Sequence, residues 1–481
     1  MNTSRKLSAA VAAAMAIHSV AQAAVAEKAS TLADQRSVAV TIYNENLALI
    51  KDTRQLALDQ GVNRYALREV SGQMRPETAA LRSLSHPGAL SLLEQNFDFD
   101  LLTPAKLLEK YVGREVRIVR THPATGIETV EKAIVLAANG PVLRIGDRIE
   151  TGATGRIVYG DVPPNLRDRP TLVSQMQSAR AGNQTVELSY LSGGLSWKAD
   201  YVAELNAADT MLSLNGWVTL TNRSGTTYPD AKLQLVAGDV NRVRTPPAPA
   251  PAAVAEMRYA AAKASQAMVQ ESLFEYHLYT LQRPTTIADN QTKQVALLGA
   301  PSVPVTKELV LQGADYYYGS QAGQLGQKLK VGVFVQFENR EAAGLGIPMP
   351  KGVVRVYKKD GAGNAQFVGE DAVDHTPKNE KVRLKLGEAF DVTADKKQTD
   401  FKRRDIGKPW TYSVETAYEI ELKNAKKEPQ TVVVREPVPG DWSMLQESHK
   451  HAKVAAGTAE WKITVPPEGN AKLSYRVLVR Y

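Results

Sequence analysis

Alternation of apolar and polar residues is the dominant pattern along the chain. Over residues 412–422, apolar side chains recur at nearly every second position, and several glutamates stand between them. A period of two is typical of a strand with one buried and one solvent-facing side. Similar runs at 186–190, 212–220, 329–337, 382–386 and 473–481 are separated by turn residues. The pattern predicts a mainly β protein with several β-sandwich or barrel-like domains and one or two short helices.

Residues 103–113 carry the signals of a helix instead. Thr103 can cap the first turn, Pro104 stands at the first helical position, and Gly113 follows the last turn. Short apolar runs around 116–118, 133–135 and 142–143 come next. We expect one short helix followed by a small barrel-like β insert.

A Pro/Ala segment at 245–255 interrupts the strand pattern. Prolines at alternate positions favour extended conformations and leave little side chain to bury, so we expect an exposed linker. Residues 260–270 are rich in helix formers and predict a helix after it, although a partly helical, mobile excursion fits equally well. We find no exact internal repeat.

These signals divide the chain into consecutive regions. They are a signal peptide (1–23), an N-terminal β segment (24–102), the helix with the small β insert (103–165), a β domain (166–244), the linker with its candidate helix (245–272), a second β domain (273–405) and a C-terminal immunoglobulin-like β-sandwich (406–481). In the last region we expect Trp461 and Tyr475 in the core, where a disulfide would otherwise stand.

The N-terminus has the parts of a secretory signal. Arg5 and Lys6 precede an alanine-rich apolar run at 7–20, and Ala21-Gln22-Ala23 offers small residues where a signal peptidase cuts. We expect cleavage between Ala23 and Ala24, with 24–26 as an alternative site. The run is too short to span a bilayer, which predicts a periplasmic or secreted protein.

Composition excludes some chemistries. The 481 residues include no cysteine, which removes disulfides, thiolate metal sites and a cysteine nucleophile. The formal charge of +8 falls to +6 once Arg5 and Lys6 are removed, and this balance mildly favours anionic partners. The basic cluster of Lys396-Lys397 with 402–404 is interpreted as a solvated sheet edge, the alternatives being contacts with lipid phosphates, anionic glycans or nucleic acid.

Several short motifs resemble one known family. They are 191–201 with its Gly-Gly-Leu-Ser-Trp core, 216–225, and Phe337-Glu338-Asn339-Arg340 followed by Gly344-Leu345-Gly346. From about residue 171 onward the chain is similar to the bacterial secreted domain-of-unknown-function 4139 family, whose better-known relatives are mucoidy-inhibitor-like proteins, but it lacks their long coiled-coil insertion. The resemblance implies a secreted, mostly β, multidomain protein without an established activity, and it supplies no catalytic residue.

Two tryptophans are candidate ligand contacts. Trp197 follows two glycines that permit a tight turn, and Trp217 lies in a later strand run. The structural interpretation places Trp197 in the core. The functional alternative places Trp197 and Trp217 together on a ligand-binding face, as aromatic platforms for sugars or peptides.

Candidate metal ligands are Glu447, His449 and His451. If this segment is a strand, the three side chains share a face and could bind a divalent cation. Lys453 would share that face and repel the cation. The alternative is a solvated loop before the last hairpin.

No motif identifies a reaction or calls for a cofactor. Gly193–Trp197 lacks the glycine after the serine that a nucleophile elbow needs, and no phosphate-binding glycine loop is present. The leading hypothesis is an exported, non-enzymatic binding or scaffolding protein of the cell envelope, with envelope polysaccharide or another envelope protein as partner. Nucleic acid is the least expected partner. The alternative is a hydrolase of envelope glycans or peptides whose carboxylate or metal site the sequence does not locate.

Overall fold

A computed structural model describes residues 25–152, 155–163, 166–238, 240–241 and 268–481. Strands make up 65% and helices 5% of the structure, which confirms the mainly β prediction. The signal peptide at 1–23 and the linker at 245–255 lie outside the described residues. Most of the helix predicted for 260–270 also lies outside them, and its last two residues, Val269 and Gln270, belong to a strand.

Strands follow one another along nearly the whole described chain. The first sixteen are β1 (Glu27–Ser30), β2 (Gln35–Tyr43), β3 (Leu47–Leu58), β4 (Gly61–Arg68), β5 (Ala80–Ser83), β6 (Leu90–Asp98), β7 (Glu115–Thr121), β8 (Glu128–Ala137), β9 (Val142–Ile145), β10 (Arg148–Thr151), β11 (Arg156–Val158), β12 (Thr171–Ser178), β13 (Gly182–Ser192), β14 (Leu195–Leu205), β15 (Met211–Asn222) and β16 (Tyr228–Ala237).

The remaining strands are β17 (Val269–Leu273), β18 (Tyr276–Thr280), β19 (Thr285–Ile287), β20 (Gln291–Pro304), β21 (Thr306–Gln312), β22 (Gln324–Glu338), β23 (Gly352–Lys359), β24 (Ala365–Val373), β25 (Lys381–Asp405), β26 (Tyr412–Asn424), β27 (Gln430–Pro437), β28 (Asp441–Glu447), β29 (Ala452–Ala455), β30 (Thr458–Val465) and β31 (Gly469–Arg480).

The predicted helix is confirmed as α1 (Pro104–Lys110). The Thr103 hydroxyl accepts a hydrogen bond from the backbone N of Lys106 at 3.2 Å, which caps the first turn. In the part of the chain that the structure describes, no helix is long and apolar enough to cross a membrane.

The described residues form two compact units, which we call the first and the second unit. The first comprises residues 25–36, 52–72 and 79–188, and the second comprises 37–51, 73–78 and the described residues from 189 to 481. The strands β2, β3 and β13 pass from one unit into the other along the chain.

The first unit contains two sheets. One has the order β1-β4-β12-β6, with β1 parallel to β4. The other has the order β10-β9-β8-β7-β11, and its pairs are antiparallel. Alternate residues of this second sheet, such as Ile118 and Val135, form a core with Leu108 of α1 and Tyr111 at its end. The short strands predicted after the helix are therefore confirmed.

A buried arginine joins three strands of the first unit. Arg54 of β3 is 2% exposed. Its guanidinium donates to Asp52 Oδ2 at 2.9 Å, to the carbonyl of Ser30 in β1 at 2.9 Å and to the carbonyl of Arg68 in β4 at 2.8 Å. Charge and donors are both satisfied without water, as a buried guanidinium requires.

The second unit contains a five-stranded and a nine-stranded sheet. The first has the order β20-β15-β14-β23-β24, and the second has the order β28-β31-β26-β25-β22-β21-β27-β30-β29. In the nine-stranded sheet, side chains from the two ends meet in one core. Trp461 of β30 stacks on Tyr475 of β31 with ring centroids 4.8 Å apart, so the sheet folds over on itself as a sandwich.

The four strands predicted in the C-terminal region are confirmed as β26, β27, β30 and β31. Trp461 and Tyr475 are 1% and 2% exposed, as expected for core residues. The sheet that contains them also includes β21, β22 and β25, which precede residue 406. The domain boundaries themselves stay predictions.

The same hydrogen-bonded corner occurs at three strand ends in the second unit. The side-chain Nδ2 of Asn222 lies within hydrogen-bonding distance of the carbonyls of Thr226, Ile287 and Ala288, at 2.9–3.2 Å. Its Oδ1 accepts from a nearby backbone N–H. Asn339 and Asn424 have the same arrangement with three carbonyls and one backbone N–H each. All three asparagines are buried, so each one holds the carbonyls of neighbouring turns from inside the fold.

Candidate binding site

Trp197 and Trp217 lie on opposite faces of the same sheet. In the antiparallel pair of β14 and β15, Trp197 is opposite Leu220 and Trp217 is opposite Asp200. Asp200 is three residues from Trp197, and neighbouring side chains of a strand alternate between faces. The structure therefore does not bring the two predicted tryptophans together.

Trp197 faces the core. Its side chain is 5% exposed, and among the described residues its Nε1 has no hydrogen-bond partner. Alternate residues on the same strand face, including Ala199, Tyr201 and Ala203, are buried with it. This placement fits the structural interpretation of the Gly-Gly-Leu-Ser-Trp motif.

Trp217 is half-buried on the other face, beside an ion-pair network. Asp200 accepts from the Thr219 hydroxyl at 2.8 Å and from Arg355 Nη1 at 3.1 Å. Arg355 also forms an ion pair with Glu370 at 3.1 Å. Lys198 Nζ also lies 3.5 Å from Asp200 Oδ1, so two cations balance two carboxylates beside the half-buried ring of Trp217.

Glu447 and His451 are in contact, and His449 is not part of their contact. Glu447 Oε2 accepts from His451 Nδ1 at 2.9 Å, from the backbone N of His451 at 3.0 Å and from Trp461 Nε1 at 3.0 Å. His449 Nδ1 lies 2.9 Å from the Ser448 hydroxyl. Within the described ranges, no group of three or more His, Asp or Glu side chains is arranged to hold a metal ion. Metal binding at these residues stays a prediction, and the contacts show Glu447 fixing Trp461 and His451.

Lys453 lies over an aromatic ring near His451. Its Nζ lies 4.6 Å from the ring centroid of Trp442. The side chain therefore covers an aromatic ring by a cation–π contact.

The solvated-edge interpretation of the basic cluster is wrong for Lys396. Lys396 is 2% exposed, whereas its neighbour Lys397 forms an ion pair with Glu419 at the surface. The reason is strand alternation: Val392, Ala394 and Lys396 share the buried face of β25, and Lys397 lies on the other face.

A cleft in the second unit has the size of a ligand site. Its volume is about 390 Å³, and its lining includes Val305, Thr306, Phe337, Glu338, Arg340 and Lys381. We call it the Arg340 cleft. Ligand pockets commonly occupy about 300–1,000 Å³. The lining of this cleft is about half apolar and half polar or charged.

The strand register positions the walls of the Arg340 cleft. Thr306 at the start of β21 pairs with Gln336 of β22, and Glu338 at the end of β22 pairs with Lys381 of β25. The chain then turns sharply, because Asn339 binds the carbonyls of the two loops that follow β22 and β24. This corner places Arg340 at the rim of the cleft.

Cations outnumber anions in the lining of the cleft. Arg340 and Lys381 are positive, and Glu338 forms an ion pair with Arg340. The Arg340 side chain nevertheless keeps 53% of its surface exposed at the rim of the cleft. One excess positive charge beside apolar walls suits a ligand with an anionic group.

Sequence reasoning noticed the Phe337–Arg340 motif without assigning it a site. Val305 and Lys381 lie far from it along the chain, and only strand pairing brings them to the same cleft. The one available signal was a polar motif that interrupts two apolar strands.

The comparisons with known proteins concern the part of the chain that contains this cleft. A sequence profile described as "Domain of unknown function (DUF4139)" matches residues 186–481. No curated protein matches the chain. The matched residues include the Arg340 cleft, the nine-stranded sheet and the three asparagine corners.

Proposed function

The chain belongs to the family of domain of unknown function DUF4139, and from that premise we propose that it is an exported protein of the cell envelope that binds a ligand without transforming it. The location is the periplasm or the cell exterior, on the strength of the signal-like N-terminus. The ligand that we propose is an acidic envelope polysaccharide, bound in the Arg340 cleft.

The observation that carries this proposal is the half-exposed side chain of Arg340, with Lys381 and apolar residues, in the lining of a cleft of about 390 Å³. Sugar rings present apolar faces to such walls, and an acidic sugar adds a carboxylate that Arg340 and Lys381 can bind. Charge-assisted hydrogen bonds to arginine are stronger than neutral ones and fix orientation.

The proposal is tested by measuring binding to polygalacturonate, which is a polymer of acidic sugars. Dextran, a neutral polysaccharide, is the control ligand. Calorimetric titration of the purified full chain should detect polygalacturonate and not dextran. Arg340→Gln should weaken binding by about tenfold or more, since a hydrogen bond to a charged group contributes about 1.5–3 kcal/mol. Raising the salt concentration should weaken it further.

Lys427→Gln is the matched control. Lys427 is exposed, lies in the same unit and is not part of the cleft lining, so its substitution removes the same charge without touching the site. If Arg340→Gln and Lys427→Gln lose the same amount of affinity, the polymer is attracted by diffuse charge, and the assignment of the binding site to the Arg340 cleft is wrong. Release of new reducing ends from the polymer, lost in Glu338→Gln, would establish a hydrolase instead.

A further inference from the structure

Lys396 and Glu436 meet in the core of the nine-stranded sheet. Both side chains are 1% exposed. Lys396 Nζ lies 2.7 Å from Glu436 Oε1 and 2.7 Å from Oε2. The amine and the carboxyl group therefore touch in a place that water does not reach.

Aromatic rings form the other walls around the amine. Lys396 Nζ lies 4.2 Å from the ring centroid of Tyr317 and 4.9 Å from that of Tyr418. Burial lowers the pKa of Lys396, and the charge and hydrogen bond of Glu436 oppose that shift. Burial of an amine favours its neutral form, which is the nucleophilic one.

The carboxyl group is held from two further sides. The Tyr318 hydroxyl donates to Glu436 Oε2 at 3.1 Å, and it lies 3.0 Å from the hydroxyl of Tyr475. Gly313 packs against the same carboxyl group, and a Cβ there would lie 2.2 Å from Oε2. The carboxyl group thus has a hydroxyl beside one oxygen and no space in which to turn away from the amine.

The geometry points to an amide cross-link between Lys396 Nζ and Glu436 Cδ. The neutral amine adds to Cδ of the protonated carboxyl group, the bond from Cδ to Oε2 breaks, and that oxygen leaves as water. The proton that the nitrogen loses passes to the departing Oε2, which lies 2.7 Å from Nζ, while the Tyr318 hydroxyl donates a hydrogen bond to that oxygen. An amine and a carboxylic acid give an amide and water, so no oxidant, reductant or activated donor is needed.

Such a bond would join two strands that are not neighbours in the sheet. Lys396 lies in β25 and Glu436 in β27, with β22 and β21 between them in the strand order. The bond would close a loop of chain between the two residues and restrict the unfolded state, as a disulfide does. This chain has no cysteine, so the amide would supply a covalent tie that disulfides do not.

Mass spectrometry of the purified wild-type chain tests the inference without any substitution. The cross-linked protein is one water, about 18 Da, lighter than its sequence. Trypsin does not cut after an acylated lysine, so the digest should contain residues 386–397 joined to residues 436–450, with the same deficit. A wild-type mass without the deficit, and separate peptides ending at Lys396 and starting at Glu436, would overturn the proposal.

Substitutions assign the bond to these two residues. Lys396→Met should abolish the deficit and the joined peptide. Lys397→Gln is the matched control, because Lys397 lies at the surface of the same strand. It should keep the mass deficit, and its joined peptide should run from residue 386 to residue 402, since the cleavage site after residue 397 is gone. Loss of the deficit in Lys397→Gln, or its survival in Lys396→Met, would overturn the assignment. If Lys396→Met fails to fold, the wild-type digest still decides.

Discussion

Arg54 in the first unit and Lys396 in the second are both buried basic side chains, but different groups hold them. Arg54 shares its donors among a carboxylate and the carbonyls of Ser30 and Arg68. Lys396 has both oxygens of Glu436 and the faces of tyrosine rings. A planar guanidinium can serve several strands at once, whereas an ammonium is a single point of charge.

This difference separates a structural role from a chemical one. Removing Arg54 would leave backbone carbonyls of two strands without their donor, so its contribution is spread over the fold of the first unit. The contacts of Lys396 concentrate on one carboxyl group at hydrogen-bonding distance. An amine held that way can react, whereas a guanidinium divided among three acceptors only fixes them in place.

The largest effect that we expect comes from Arg54→Met. The substitution leaves the Asp52 carboxylate buried beside an apolar side chain, and breaking a buried pair in this way costs about 3–5 kcal/mol. Urea denaturation, monitored by hydrogen exchange in the peptide that contains β4, should show that loss in the free energy of unfolding of the first unit.

Arg64→Met is the control for Arg54→Met. Arg64 pairs with Glu27 at the surface, where the two side chains are 37% and 29% exposed. Exposed pairs contribute about 0–1 kcal/mol. Equal losses for the two variants would mean that the buried contacts of Arg54 add nothing beyond surface charge, and the comparison with Lys396 would fail.

Local patterns predicted the elements of the fold. The alternation over residues 412–422 fits β26, and the Thr103, Pro104 and Gly113 signals fit α1 because capping depends on a few adjacent residues. The core position of Trp461 follows from the same period of two. These features depend on interactions within a few residues of each other.

Long-range contacts were beyond the sequence. Lys396 and Glu436 are separated by 40 positions, and the pair forms because the nine-stranded sheet folds over. The sequence predicts a solvated cluster at Lys396 because its neighbour Lys397 is charged too. Giving more weight to the strand period, which places Lys396 on the face of Ala394, would have indicated burial.

The asparagine corners were missed for a related reason. Asn222, Asn339 and Asn424 each stand in a segment that looks like an ordinary turn. The residues around them differ, so no repeat is visible in the letters. What repeats is the set of hydrogen bonds from the asparagine to backbone carbonyls. Because every residue type has a backbone carbonyl, the sequence does not mark these partners.

High pH should destabilise the surroundings of Lys396 more than those of Arg54. Phenols, which lose a proton at high pH, surround Lys396, whereas carbonyls and a carboxylate surround Arg54. Burial raises the pKa of Tyr418 to about 12 from an ordinary value near 10. A raised pKa gives stability that is complete below pH 10 and is lost as the pH rises through 12. Tyr418 alone should cost the sandwich about 3 kcal/mol over that window.

Urea denaturation monitored by tryptophan fluorescence, at pH values from about 9 to about 12, measures this loss of stability. Burial also raises the pKa of Tyr317 to about 12, so the slope with pH should exceed that of a single phenol. Tyr418→Phe should remove its share of the slope. A slope unchanged in Tyr418→Phe would show that this phenol is not protected by the sandwich.

The smallest effect concerns Asn424, which does with a neutral amide what Arg54 does with a charge. Its Nδ2 lies 2.8 Å from the carbonyl of Glu428 and 3.0 Å from that of Pro466. Asn424→Ala should lower the free energy of unfolding of the second unit by about 1–3 kcal/mol, since these carbonyls lose the donor that the buried amide gives them. Asn215→Ala, at an exposed position of β15, should change it by less than about 0.5 kcal/mol. If the urea midpoints of the two variants agree, water replaces the amide of Asn424. In that case the charged contacts of Arg54 stabilise the strands of the first unit, but the neutral contacts of Asn424 do not stabilise those of the second.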